Sequence, residues 1–264
     1  MISGSQRIVI KSARETELMR AAGQLVCEVL DALEREVAPG VTTARLDEIA
    51  RQRISAAGAT ALFLGVRNPQ ARYPFPAHIC ASVNDAVVHG IPDERPLREG
   101  DIVSIDVGVR LNGYCGDSAR TFAVGAVAPR TRRLLDTTQG ALDTAIGEMR
   151  PGMRWSQVAR RIQKAVESQG FGVVREFVGH GIGREMHEEP KVPNYVDRSS
   201  RASDFDLVPG MTLAIEPMVT AGRPEVEYLD RDRWTVVTKD RSLAAHFEHT
   251  VAVTEKGAWV LTAR

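Results

Sequence analysis

Asp106-Val-Gly-Val-Arg-Leu-Asn-Gly-Tyr-Cys-Gly-Asp117 is the stretch on which the reading of this chain turns. Residues 101–109 alternate in a β-rich run, and Gly116 to Val124 form a matching one. Between them Asn112-Gly113 is the dipeptide favoured by two-residue type I′ hairpin turns. Pairing Leu111 with Tyr114 sets Asp117 opposite Gly108, two residues from Asp106. Strand side chains alternate with period two, so Asp106 and Asp117 become diagonal neighbours on one face, close enough to touch one ion. A slip of one residue would part them. Taken alone, the hairpin also fits a surface ribbon with two solvated aspartates.

Further carboxylates decide between these readings. Glu216 lies in the apolar run Leu213-Ala-Ile-Glu-Pro-Met218, and Glu248 lies in Ala245-His-Phe-Glu-His-Thr-Val251. A glutamate buried in such a strand without a partner is costly. Exposure on an edge strand is open for each, but a cation shared with the aspartate pair is the more economical explanation. Four carboxylates carry about the charge of two divalent ions, and His180, between two glycines in Val178-Gly-His-Gly-Ile-Gly183, adds an imidazole. The set reads as a metallohydrolase. His89 in Val88-His-Gly-Ile-Pro92 and His187 in Met186-His-Glu-Glu-Pro190 sit in turn-rich settings, where structural and site roles are both open. His246 and His249 flank Glu248; alternation is read as turning each to the opposite face, which leaves His246 outside the ligand set.

Lys plus Arg equals Asp plus Glu at 34 each, so the charge balance points to neither a nucleic acid nor a membrane surface. Cys27, Cys80 and Cys115 are an odd set with no CxxC, fitting reduced thiols better than a disulfide framework. No secretory leader and no long uncharged apolar window is read, so a soluble cytoplasmic protein is expected. The chain carries no GxSxG elbow, Walker loop, HExxH or EF-hand.

Around the hairpin the pattern is coarse but repeated. Ser12-Ala-Arg-Glu15 reads as a capping box for a helix carrying Leu18, Ala22, Leu25, Val29 and Leu33, ended by Pro39-Gly40. A second helix runs from Thr42 or Thr43 to about Ala57. Gly58 to Ala77 reads as loop, with Ala61 to Leu64 as a candidate strand, and Ile79, Ala81 and Val83 alternate as a short strand. After the hairpin, Arg130 to Met149 and Trp155 to Gln169 read as helices, and Pro190 to Pro209 as surface loop. Met211 to Val219, Trp234 to Thr238, Phe247 to Thr254 and Ala258 to Thr262 read as strands. A helix pair beside a two-carboxylate β unit therefore occurs twice. An α+β fold is expected, with helices covering one face of a curved, mostly antiparallel sheet, in a single domain spanning 1–264.

His89-Gly-Ile-Pro92, Asp106 through Asp117-Ser-Ala-Arg-Thr-Phe122, Gly179-His-Gly-Ile-Gly-Arg184, His187-Glu-Glu-Pro190, Pro209-Gly-Met-Thr-Leu-Ala-Ile-Glu-Pro217 and Phe247-Glu-His-Thr250 together resemble type I methionine aminopeptidases, from about Lys11 to Leu261. The resemblance implies the pita-bread aminopeptidase fold, two halves related by pseudo-twofold symmetry. It implies two divalent metal ions (Co, Mn, Fe or Zn) held by Asp106, Asp117, His180, Glu216 and Glu248, with Asp117 and Glu248 bridging. The implied reaction removes the initiator methionine of nascent chains whose next residue is small, by attack of a hydroxide shared by the ions. Glu216 is then the proton acceptor, His187 a donor to the developing oxyanion, and His89 a contact to the scissile amide or substrate backbone. Phe75, Cys80, Met186 and Trp234 would line the methionine pocket. The implied partners are nascent polypeptide N-termini and transient ribosome contact, with no membrane, no specific nucleic acid and a monomeric state. The length before the first motif suits the short bacterial form.

The sequence departs from the family's commoner residues at Gly108 (Thr in many), Met186 (Phe), His246 (Gln) and Cys115 (His), which puts substrate preference and metal tuning in question. Two rival readings stand. One is another pita-bread peptidase, such as an X-Pro dipeptidase or aminopeptidase P, although those carry a large extra N-terminal domain. The other is a binding module that has lost catalysis, for which retention of all the ligand carboxylates would have no offsetting gain.

Overall fold

The computed structural model describes residues 8–196 and 204–264. Its first half comprises α1 (Ala13–Glu36), α2 (Thr43–Ala56), β1 (Thr60–Ala61), β2 (Cys80–Val83), β3 (Ala86–Val88), β4 (Ile102–Leu111) and β5 (Tyr114–Ala123). Asn112 and Gly113 both have positive φ, 52° and 82°, as the type I′ turn requires. The ladder pairs Leu111 with Tyr114 and Gly108 with Asp117, the register expected. On the other side of β4, β2 and β1 pair at its two ends.

The two faces of β4 do different work. Val103, Ile105, Val107 and Val109 pack with Leu25, Val26, Val29, Leu30 and Leu33 of α1 and with Leu46, Ala50 and Ile54 of α2. Period-two alternation then commits Ser104, Asp106 and Gly108 to the opposite face. The apolar stripe that anchors the helices thus also aims Asp106. At the start of α1, the Ser12 hydroxyl accepts from Glu15 N–H while the Glu15 carboxylate accepts from Ser12 N–H at 2.9 Å. Ser12→Ala is expected to cost about 1 kcal/mol, read as a lower urea midpoint at unchanged slope.

The second half repeats the plan with α3 (Pro129–Glu148), α4 (Trp155–Glu167), β6 (Gly172–Val173), β7 (Gly179–Gly181), β8 (Glu188–Val192), β9 (Thr212–Ile215), β10 (Met218–Thr220), β11 (Val226–Tyr228), β12 (Val236–Thr238), β13 (Ala244–His246), β14 (His249–Thr254) and β15 (Gly257–Val260). Three antiparallel sheets result, in the orders β15-β14-β9-β7-β8, β13-β10-β6 and β11-β12-β3. Leu134, Leu142, Trp155, Val158 and Ile162 of the helix pair bury against Leu213, Ile215, Val219, Val251 and Val253. The halves meet where β5 lies along residues 246–250. Glu248 N–H donates to Ala119 O at 2.9 Å, Asp117 N–H donates to Thr250 Oγ1 at 3.1 Å, and Thr250 Oγ1 donates to Asp117 O at 2.8 Å.

Five expectations need correction. Met211 to Val219 is two strands, not one, because Pro217 lacks the N–H a central strand needs, and the chain leaves the five-stranded sheet at Glu216. The run from Phe247 begins its strand only at His249, with β13 before it in another sheet. Glu216 and Glu248 therefore occupy the two crossings between the same pair of sheets. His180 sits in a strand rather than a glycine loop: a Cβ at Gly179 would lie 2.3 Å from Ala214 O, and one at Gly181 2.2 Å from Glu189 O, so these glycines admit close strand contact. The expected loop from Pro190 belongs to β8 through Val192, and its residues 197–203 lie outside the described residues. Of residues 61–64, only Ala61 is in a strand.

Candidate active site

Asp106 and Asp117 come from the central ladder, His180 from β7, and Glu216 and Glu248 from the two sheet crossings. They converge on the floor of a cleft of about 190 Å³. Ligand atoms of Asp117, His180 and Glu248 lie within 4.8 Å of one another, and all three residues are buried. Glu216 Oε1 stands 3.6 Å from His180 Nε2. The His180 Nδ1 is 2.9 Å from Gly181 O, and a carbonyl only accepts, so the ring hydrogen sits on Nδ1 and the Nε2 lone pair faces the acids.

Among the described residues no lysine or arginine pairs with this concentration of charge. Burial, then the charge of Glu248 and Asp106, pushes the Asp117 carboxyl well above its usual range. Burial raises Asp106 to about 7, and burial followed by neighbouring acids raises Glu216 and Glu248. Asp106 Oδ1, Asp117 Oδ1 and Glu248 Oε1 are buried without a hydrogen-bond partner. Buried polar atoms are rarely left so. Oxygen donors with one bare imidazole nitrogen fit a divalent transition-metal site, and those orphaned oxygens are what such ions would satisfy.

Residues 17–255 match the family described as Metallopeptidase family M24. The chain belongs to this family. It is 45% identical over 255 residues to "Methionine aminopeptidase 1" of Bacillus subtilis, covering 97% of this chain and 99% of that one. The crystal structure of methionine aminopeptidase from Rickettsia prowazekii superposes with a TM-score of 0.91 at 38% identity, covering 97% of this chain and 100% of that one. An Xaa-Pro dipeptidase from Bacillus anthracis shares the fold at a TM-score of 0.74 and 22% identity, and this chain covers 62% of its length. The architecture is the pita-bread fold, and M24 metallopeptidases use divalent metal ions.

In this M24 chain the cleft walls are built by two further groups. Phe63, Val66, Phe75, Cys80, Met186 and Trp234 form an apolar side. Phe75 stands edge-to-face with Trp234 at 5.3 Å and with Phe63 at 6.4 Å. Trp234 is fixed at both ends: its Nε1–H donates to Tyr73 O at 2.9 Å, and its backbone N–H donates to the buried Asp232 carboxylate at 2.8 Å. Cys80 lies directly opposite Asp106 across β2 and β4. Burial, then the charge of Asp106, pushes its thiol well up and keeps it protonated.

His89 and His187 line the other side. His89 has φ 58°, a left-handed conformation costing about 1 kcal/mol or more for a non-glycine residue. The next residue can only be glycine, because a Cβ at Gly90 would lie 2.3 Å from Ala81 O. Burial lowers His89 to about 4 and also lowers His187, so both rings are neutral near pH 7. The His187 ring lies 4.4 Å from that of His180.

All the candidate residues read from the sequence line this one cleft. The facing of His246 is misread: alternation would set positions 246 and 248, two apart, on one side rather than opposite sides, and the chain changes sheets between them. The His246 Nε2 lies 3.8 Å from Glu216 Oε2 and 4.0 Å from Glu248 Oε2. Phe63 and Val66 were missed inside a segment read as loop; the apolar run Ala61 to Leu64 was the signal for Phe63. Asn194, whose Nδ2 donates to Glu216 O at 3.0 Å, carried none. Of the departures, Gly108 keeps open a space beside Asp117 Oδ1 and Phe63, each 3.2 Å from where a Cβ would stand. Cys115 lies away from the cleft, donating to Arg184 O at 3.4 Å.

Proposed function

We infer that the chain is a metal-dependent methionine aminopeptidase, which removes the initiator methionine of nascent chains whose second residue is small. The observation that carries this reading is an acid-and-imidazole floor joined to an apolar pocket of Phe63, Phe75, Met186 and Trp234. It is supported by the near full-length likeness to a chain named methionine aminopeptidase. Asp106, Asp117, His180, Glu216 and Glu248 would hold two divalent ions (Co, Mn, Fe or Zn). Bound there, the ions would make water acidic enough to supply a nucleophile near neutral pH.

The remaining work falls to this chain's own side chains. Glu216 accepts the proton of the attacking water and later returns it, as a general base does. Neutral His187 offers an N–H to the carbonyl oxygen on which charge develops. His89, held in one backbone conformation, contacts the scissile amide and orients the substrate. The pocket takes the methionine side chain, where sulfur–aromatic contact with Phe75 and Trp234 favours a thioether. Losing one wall costs about 1–3 kcal/mol of discrimination, so Trp234→Ala is expected to lower kcat/KM for Met-Ala-Ser by about 10-fold or more, mostly through KM.

The chain acts as one catalytic domain and as a monomer in the cytoplasm, meeting nascent N-termini near the ribosome. Among the described residues no helix is long and apolar enough to cross a membrane. Competition between Met-Ala-Ser and Ala-Pro-Ser separates the two peptidase readings. Release of methionine with Ala-Pro-Ser left intact is expected; preferred cleavage before proline would replace this reading with that of an X-Pro peptidase.

A further inference from the structure

We propose that His246 is a positioning residue, which donates its Nε2–H to the Glu216 carboxylate and so sets the metal-binding acids and the proton acceptor in place. Its part in turnover rests on the methionine aminopeptidase reading; its part in metal uptake rests on the geometry alone. His246 is 2% exposed, and its Nε2 is buried with no hydrogen-bond partner. A buried polar nitrogen left so is costly, because it has given up water without gaining a partner. The atoms facing it are Glu216 Oε2 at 3.8 Å and Glu248 Oε2 at 4.0 Å. An ionised carboxylate only accepts, so pairing requires the hydrogen on Nε2.

Glu216 then stands between two imidazoles of opposite tautomer. Oε1 faces the bare Nε2 of His180 at 3.6 Å, and Oε2 faces Nε2 of His246. One ring offers a lone pair and the other a hydrogen. The gap to Oε2 is somewhat longer than a hydrogen bond, and the terminal torsion of a glutamate, broad and roughly two-fold, is soft enough to close it. His246 itself is rigidly placed. Thr121 Oγ1 accepts from its N–H and donates to its C=O, each at 2.8 Å, and β13 pairs it with Met218 of β10. A fixed donor beside a soft carboxylate is how a neighbouring group orients a metal ligand.

The test compares His246→Leu, which removes the donor, with His246→Gln, which keeps an N–H but has no imidazole. Mn²⁺ binding to chelator-stripped protein is followed by calorimetry, and Met-Ala-Ser turnover is measured on the same samples. His246→Leu is expected to bind Mn²⁺ about 10–100-fold more weakly, with kcat lowered and KM nearly unchanged. His246→Gln is expected to recover most of both losses. A long-range ¹⁵N–¹H spectrum of the Zn²⁺-loaded unaltered protein should place the His246 hydrogen on Nε2. Unchanged Mn²⁺ affinity in His246→Leu, failure of His246→Gln to recover it, or a bare Nε2 would each overturn the proposal. If His246→Leu does not fold, His246→Gln and the spectrum decide. If metal affinity behaves as expected while the unaltered protein releases no methionine, the positioning role stands and the aminopeptidase reading falls.

Discussion

Asp117→Asn is expected to lower methionine release by about a thousandfold or more while making the metal-free protein harder to unfold. Activity falls because a carboxylate that holds a divalent cation would supply several kcal/mol of charge stabilisation that a neutral amide would not, and each 1.4 kcal/mol is about tenfold in rate. Stability rises for the opposite reason. Asp117 is 1% exposed, and its ionised form is opposed by burial and by Glu248 and Asp106. An amide in its place removes one of four clustered charges and brings N–H donors to a region holding the unpartnered Asp106 Oδ1 and Glu248 Oε1. Relief of one such group is worth about 1 kcal/mol, or roughly 2–4 °C in the midpoint for a chain of this size. Calorimetric melts of the chelator-treated proteins at one pH, paired with methionine release, read both. A variant that lost activity and metal-free stability together would show that Asp117 serves the fold rather than the chemistry.

Gly116→Ala is expected to be strongly damaging to the fold for the addition of one methyl, costing about 3 kcal/mol or more. Its Cβ would lie 2.7 Å from Gly23 N and 2.8 Å from Ala22 C, both backbone atoms of α1. No rotamer change relieves such a contact. α1 cannot retreat cheaply, because Gly23 is itself pressed against the C-terminal segment, where a Cβ would stand 2.3 Å from Leu261 O. Gly116 lies next to Asp117 in β5, so lifting α1 also disturbs the strand that carries a candidate ligand. Gly140→Ala in α3 is the matched control. Nothing lies within 4 Å of its Cβ position, and loss of helix-interior glycine is expected to stabilise by about 0.5–1 kcal/mol. Urea midpoints of the two variants should therefore move in opposite directions; a Gly116→Ala midpoint within experimental error of the unaltered protein would contradict the close approach of α1 and β5.

The hairpin was legible because its turn, its alternation and its two aspartates each admit one register, and any slip would send a valine stripe to the wrong face. The helix pairs were legible from their apolar spacing and the Ser12 cap. The crossings at Glu216-Pro217 and Phe247-Glu248 were not, because local alternation continues through them and only pairing with partners distant in sequence breaks the strands. The same dependence hid β7: glycines on both sides of His180 look like loop until the strand they touch is known. Parity already argued against turning His246 away from Glu248, but its place beside Glu216 depends on the sheet crossings. Asn194 was not legible, since its partner is a backbone carbonyl 22 residues away.

The most direct test is release of free methionine from Met-Ala-Ser by chelator-stripped protein, before and after graded addition of Mn²⁺ or Co²⁺. No release without metal, and release that climbs with added metal to a plateau near two ions per chain, is the expected result. A folded protein that releases no methionine at any metal concentration, or releases it fully after chelation, would contradict the assignment of this cleft as a metal-dependent methionine aminopeptidase site.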